Sequence, residues 1–367
     1  MNRPIGILTF HRASNYGAVL QAYALQNTFE RAGAEAEIID YRCPAVEEDH
    51  RPFGRLRTGR RVIQTLLHSP VKIKKDRVFA AYRKRKLVLS EPVKGKIGPE
   101  TADRYALFVA GSDQVWNDRL SGMDTAYMMD FAREQQRYSY ACSFGFDKFP
   151  QGKEETYIKL LSGIRSISLR ESSGVDMLAA AGLEARTDLD PTLLLTDEQW
   201  RAFGQAPDVK EPYILLYTVS GDIHLLEFAR KLSAKTGYRI LYLNNQYKTN
   251  RDLTRIRYAS PEEFVGWFAG AAYVLTNSFH GTAFSVIFHR RFKVELESKR
   301  KFNVRSRDLL VNCGLENCIL QNDESDYTFT DRWEEPDRLL GSMRDRSLSY
   351  IGTIAGLAKD MEEQSHK

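Results

Sequence analysis

No stretch of this chain is apolar for about eighteen residues, so a membrane-spanning helix is not expected. Cysteine is sparse: Cys43, Cys142, Cys313 and Cys318 are scattered and lack zinc-ligand spacing. All four read as reduced structural thiols, which fits a cytoplasmic protein. The first apolar run, before His11, is too short for a signal peptide and reads as a strand. No G-x-G-x-x-G follows that strand, so no dinucleotide is indicated. No metal is expected either, because Asp188 and Asp190 next to Pro191 read as a turn. Acidic residues are nearly missing from 51–96, which holds fifteen basic residues against two acidic; the remainder is net acidic although the whole chain is +5. That segment is either a solvated helical face or an electrostatic contact, to an anionic membrane or to a pyrophosphate. Without a binding motif it does not indicate nucleic acid.

What is present is alternation of short apolar runs with helical periodicity. Ile5–Phe10 reads as a strand, 11–17 as a loop, 18–31 as a helix and 37–41 as a second strand. After the basic segment come strands near 105–110, 138–144 and 166–169. The pattern restarts at Tyr213, with strands at 213–219, 239–243, 273–275 and 292–296 and helices between them. This predicts two βα-rich, Rossmann-like domains facing a cleft. The expected boundaries are an N-terminal domain over 1–196, a linker over 197–212, a C-terminal domain over 213–335 and a helix with a polar tail over 336–367.

Two loops draw the chemistry. Tyr273–Leu275 runs through Thr276-Asn277-Ser278-Phe279-His280-Gly281-Thr282 into an apolar helix. A strand, tight turn and helix present N–H groups and a positive dipole end to an anion. His280 sits in that turn, either as a reacting group or as a cap. The second loop is Gly111-Ser112-Asp113-Gln114-Val115-Trp116-Asn117. An aromatic face beside carboxylate and amide groups suits a sugar, with Asp113 as a general base; the alternative is an Asx turn with a packed Trp116. Asn15 and Tyr16, after the first strand, are placed to face a ligand. Arg170, at a strand end, is a candidate anion ligand or a partner of Glu171.

These blocks resemble the polysaccharide pyruvyl transferase family. The resemblance rests on Asn15–Leu25, Val109–Asn117, Leu169-Arg170-Glu171, Leu189–Leu194, Thr276–Thr282 and Asn303-Val304-Arg305. It implies a GT-B-like α/β fold of two Rossmann-like domains with parallel sheets and a C-terminal helix that crosses back. It also implies a cytoplasmic bacterial enzyme of cell-surface polysaccharide (exopolysaccharide) biosynthesis; the basic segment 51–96 would hold such an enzyme peripherally at the inner membrane face. The implied reaction moves a pyruvyl group from phosphoenolpyruvate, as donor substrate and without a cofactor, onto two hydroxyls of a glycan acceptor. His280 would then be the acid and Asp113 a base. Ser278, Gly281, Thr282, Arg305 and Arg170 would hold the donor anions. Asn15, Tyr16, Ser112, Gln114, Trp116 and Asn117 would line the acceptor side. Family members often carry Arg at the position of Ser278, so either Arg305 or another basic residue takes over or the donor is not phosphoenolpyruvate. Two alternatives stand beside this reading. One is a nucleotide-sugar glycosyltransferase, with Glu295 or Glu297 on the ribose; the other is a non-catalytic glycan binder.

Overall fold

The computed structural model describes residues 3–50, 59–219, 223–243, 253–296, 304–320 and 327–365. Residues 51–58 of the basic segment, Glu297 and Asn303 lie outside the described residues. The chain divides into two compact units, one of residues 1–194 with 343–367 and one of 195–342.

The first unit runs β1 (Ile5–Leu8), α1 (Tyr16–Arg31), β2 (Ala36–Ile38), β3 (Tyr41–Arg42), α2 (Pro44–His50), α3 (Gly59–Lys86) and β4 (Val93–Lys94). It continues through β5 (Leu107–Ala110), α4 (Asp118–Ser121), β6 (Arg137–Ser139), α5 (Glu154–Leu161), β7 (Ser168–Leu169), α6 (Ser172–Ala180) and β8 (Arg186–Thr187). Its main sheet has the order β2-β1-β5-β6, parallel throughout, with Ile7 opposite Val109. Single bridges at Tyr138–Ser166 and Cys142–Leu169 carry it on toward the β7–β8 pair. The strands β1 and β5 are buried along their whole length, as a parallel sheet covered on both faces requires. Helix α1 starts where the Asn15 side chain accepts from Gly17 N at 2.9 Å, the usual use of Asn as an N-cap.

The second unit holds α7 (Asp197–Phe203), β9 (Tyr213–Tyr217), α8 (Ile223–Thr236), β10 (Arg239–Leu243), β11 (Thr254–Ile256) and α9 (Pro261–Gly270). Then come β12 (Tyr273–Thr276), α10 (Phe279–Ile287), β13 (Arg291–Val294), α11 (Val304–Asn312) and the start of α12 (Glu334–Ser365). Its sheet order is β11-β10-β9-β12-β13, again all parallel. In chain order that is 3-2-1-4-5, the Rossmann arrangement. Helix α9 begins as its sequence predicts: Ser260 and Glu263 close a capping box and Pro261 occupies the first turn. The expected linker over 197–212 is corrected. Its first seven residues form α7, because Thr196 and Gln199 make a second capping box and Trp200 is fully buried.

Helix α12 is continuous, and from Met343 onward it belongs to the first unit. Ser347 Oγ donates to Asp188 at 3.0 Å, Tyr350 Oη to Ser166 Oγ at 2.9 Å, and the Arg186 guanidinium lies 4.4 Å from the Tyr350 ring centroid. Ile351 and Ile354 are fully buried beneath these contacts. Among the described residues no helix is long and apolar enough to cross a membrane.

Replacing Ile351 by Ala should cost about 2–5 kcal/mol, because the site is closed on all sides. Val311→Ala, at a position 48% exposed, should stay within about 0.5 kcal/mol. Urea unfolding of both variants checks this; equal losses would remove α12 from the core of the first unit.

Candidate functional site

Ligands of open parallel sheets bind beyond the strand carboxyl ends, where the chain reverses its direction of building. In the second unit that point lies between β9 and β12. The strand ends there are joined twice: Thr276 Oγ1 donates to Tyr217 O at 2.7 Å, and Asn277 Oδ1 accepts from Val219 N at 2.9 Å. The next residue, Ser278, caps α10, its hydroxyl accepting from Gly281 N at 3.4 Å. Helix α10 therefore starts at the switch point, with its positive end, about half a charge, at His280.

Position 281 must be glycine. A Cβ there would sit 2.2 Å from Thr276 Oγ1, closer than any side chain tolerates. His280 is half-buried at the second helical position, edge-on to Phe279 with ring centroids 5.1 Å apart. The Arg305 guanidinium, from α11, stands 5.5 Å from the Phe279 ring centroid. The structure thus gathers His280, Phe279 and Arg305 at one helix end.

It does not give Ser278, Gly281 and Thr282 the role of anion donors. Ser278 is buried and serves as the cap. Thr282 is fully buried, and both its N–H and its hydroxyl donate to Ser278 O, at 2.9 and 3.0 Å. The Gly281 N–H goes to the cap. What this turn offers an anion is the dipole end with His280 and Arg305.

In the first unit the switch point lies between β1 and β5, where the expected acceptor loop follows β5. Gly111 has φ 121° and its Cβ position lies 2.1 Å from Tyr140 O, so only glycine fits. Asp113 also has a positive φ, 71°. Its Oδ1 accepts from Gln114 N at 2.8 Å and lies 3.7 Å from the Arg170 guanidinium. The side chain is 19% exposed, which leaves it reachable.

Several partners expected around it are structural instead. Trp116 is fully buried, donates from Nε1 to Tyr127 O at 2.9 Å and packs against Phe144; it has no face for a sugar. Ser112 is fully buried and donates to Ala141 O. Asn117 caps α4 and donates to Gln114 Oε1, so both amides are engaged with each other. Tyr16 is buried against Phe79, whereas Asn15 is exposed as the cap of α1. Arg170 is corrected from anion ligand to anchor. Its side chain is 2% exposed and meets Asp190 at 2.5 Å. Burial opposes its charge, but Asp190, Asp113 and Glu171 outweigh this and push the guanidinium further up. Asp190 in turn accepts from Thr192 N and Oγ1, and Asp188 holds Ser168 and Arg186. Both carboxylates are thereby spent inside the fold.

A third cluster escaped sequence reasoning. His11, three residues past the end of β1, meets Asp40 through Nε2 at 3.0 Å and faces Thr9 O through Nδ1 at 3.0 Å. Arg12 bonds both Asp40 and Glu47. The available signal was position: His11 and Asp40 lie just past the carboxyl ends of neighbouring strands. Burial raises the Asp40 carboxyl, but hydrogen bonds from His11 and Arg12 and their charges outweigh it and hold it well below the usual range.

With this geometry in place, the comparisons fix the class. The model of the family described as polysaccharide pyruvyl transferase matches residues 15–292. The chain belongs to the polysaccharide pyruvyl transferase family, and so to a family of transferase enzymes. No curated protein matches it. Solved structures similar to it include a putative UDP-N-acetylglucosamine 2-epimerase from Listeria monocytogenes, at 8% identity, with 95% of this chain and 90% of that one covered and a TM-score of 0.49. The UDP-GlcNAc 2-epimerase of Methanocaldococcus jannaschii, solved with UDP-GlcNAc and UDP, is 10% identical over 95% of this chain and all (100%) of its own, with a TM-score of 0.47. A spinosyn forosaminyltransferase is 11% identical over 99% and 95%, with a TM-score of 0.42.

The folded pKa of Asp40 lies below its unfolded value of about 4. The stabilisation it gives is therefore complete above that value and is lost as pH falls through the folded one. Asp40→Asn should lower stability at neutral pH and flatten the acid limb of the stability profile. Urea unfolding between pH 3 and 7 reads both; an unchanged slope would mean that Asp40 titrates alike in both states.

Proposed function

We propose that the protein transfers the pyruvyl group of phosphoenolpyruvate to two hydroxyls of a glycan, closing a cyclic ketal and releasing phosphate. The observation that carries this reading is His280 at the start of α10, with Arg305 over the ring of the adjoining Phe279. Phosphoenolpyruvate carries a phosphate and a carboxylate. A helix end and a guanidinium are suited to those two anions. An imidazolium at the same place supplies the proton that the enol carbon must gain. That proton makes the adjacent carbon electrophilic. One acceptor hydroxyl adds there, phosphate leaves with the electrons of its C–O bond, and the second hydroxyl closes the ring. Of the two hydroxyl protons, one leaves with the phosphate and the other replaces the proton given by His280. In this account Arg305 supplies the charge that Ser278 lacks, and Ser278 supplies the cap that holds α10.

The test is phosphate release from phosphoenolpyruvate with a panel of hexose and aminohexose acceptors. Release is expected with at least one acceptor. Binding of a uridine-diphosphate sugar, with no release from any acceptor, would replace this reading by sugar transfer. His280→Ala should lower turnover about a hundredfold or more while the fold persists. Unchanged turnover would take the acid role from His280. Arg305→Ala should raise the KM for phosphoenolpyruvate about tenfold, the loss of one charge-assisted contact. An unaltered KM would place the donor anions elsewhere.

A further inference from the structure

Helix α3 carries most of the basic segment, and its two faces differ. The inner face grips the start of α1. Phe79 and Tyr82 are fully buried, Phe79 against Tyr16 at 5.1 Å, and Tyr82 Oη reaches Val19 O at 3.4 Å. Asp76 accepts from Ser14 Oγ at 2.5 Å, and Arg83 donates to Arg12 O at 3.3 Å. The outer face shows Lys74, Arg77, Ala81 and Lys84 at helical spacing, all exposed, with Val88 54% exposed just beyond the helix end. The one acidic residue of α3 is Asp76, which is turned inward onto Ser14. The outward face is therefore cationic without a carboxylate of the same helix among it, and lean in bulk.

We infer that this outer face of α3 docks on an anionic phospholipid surface. Charge complementarity selects the partner: juxtamembrane Lys and Arg are drawn to anionic headgroups, and the attraction adds with each residue. Single-stranded nucleic acid fits less well, because it needs exposed aromatic rings for its bases, and both aromatics of α3 are buried. The alanine between the cations lets their long side chains reach a flat surface. The inner face of α3 holds the Arg12–Tyr16 loop, so docking would set that loop about one helix diameter, roughly 10 Å, from the headgroups, near a lipid-borne acceptor. This last consequence rests on the proposed function; the docking does not.

The experiment is flotation of the full chain with phosphatidylcholine vesicles, with and without phosphatidylglycerol. Flotation is expected only with phosphatidylglycerol. It should be lost between about 0.1 and about 1 M salt, as the screening length falls from about 10 to about 3 Å. Arg77→Glu/Lys84→Glu should weaken it about tenfold or more. Lys159→Glu/Lys210→Glu, an equal charge change at exposed positions outside α3, should leave it intact. Thermal melting of both variants keeps folding separate from docking. No flotation at low salt overturns the inference, as does equal loss in both variants. Binding of a single-stranded oligonucleotide in place of vesicles would overturn it as well. Because no phosphoenolpyruvate is present, failure here leaves the proposed reaction standing, and the reverse holds.

Discussion

The structure around the candidate donor site depends on one close contact, between Thr276 and Gly281. Thr276 Oγ1 donates to Tyr217 O and accepts from Ser278 N, so a single hydroxyl ties β12 to β9 and fixes the turn that follows. The α10 backbone passes so near this hydroxyl that Gly281 has room only for hydrogen. A side chain there would push α10 off the strand ends, and His280 with it. The position of the reactive group is thus set by packing of backbone on hydroxyl, before any chemistry of its own.

The first unit applies the same constraint with different means. Gly111 lets the loop after β5 pass against Tyr140 O, and Asp113 adopts a left-handed backbone conformation two residues later. A buried Arg170 then spans Asp190 and Asp113. Removing either carboxylate would leave a buried guanidinium undercompensated, which is why such a network specifies a geometry more than it adds stability. The family blocks around Asp190 and Arg170 therefore hold the loop from beneath.

Much of the fold was legible. Continuous apolar runs such as Tyr213–Tyr217 marked buried parallel strands, and the capping box at Ser260–Glu263 marked α9. The turn at His280 was legible as strand, turn and helix. Burial was not legible. Trp116 in a polar loop looked like a sugar platform, yet its ring lies in the core, because the loop folds back under Phe144. Arg170 looked like an anion ligand, and only tertiary contact shows its charge spent on Asp190. Helix α7 hid in what read as a linker, since it is only seven residues long and its buried face consists of Trp200 and Phe203 alone. The His11–Asp40 pair joins residues of two loops that no local pattern connects.

The central claim is that the helix end at His280 receives the donor's anions. A structure of the protein with phosphoenolpyruvate bound tests it most directly. The account predicts the phosphate or carboxylate within hydrogen-bonding reach of the first turn of α10 and of Arg305, with the enol carbon toward His280. Phosphoenolpyruvate seated in the first unit, away from His280 and Arg305, would contradict it.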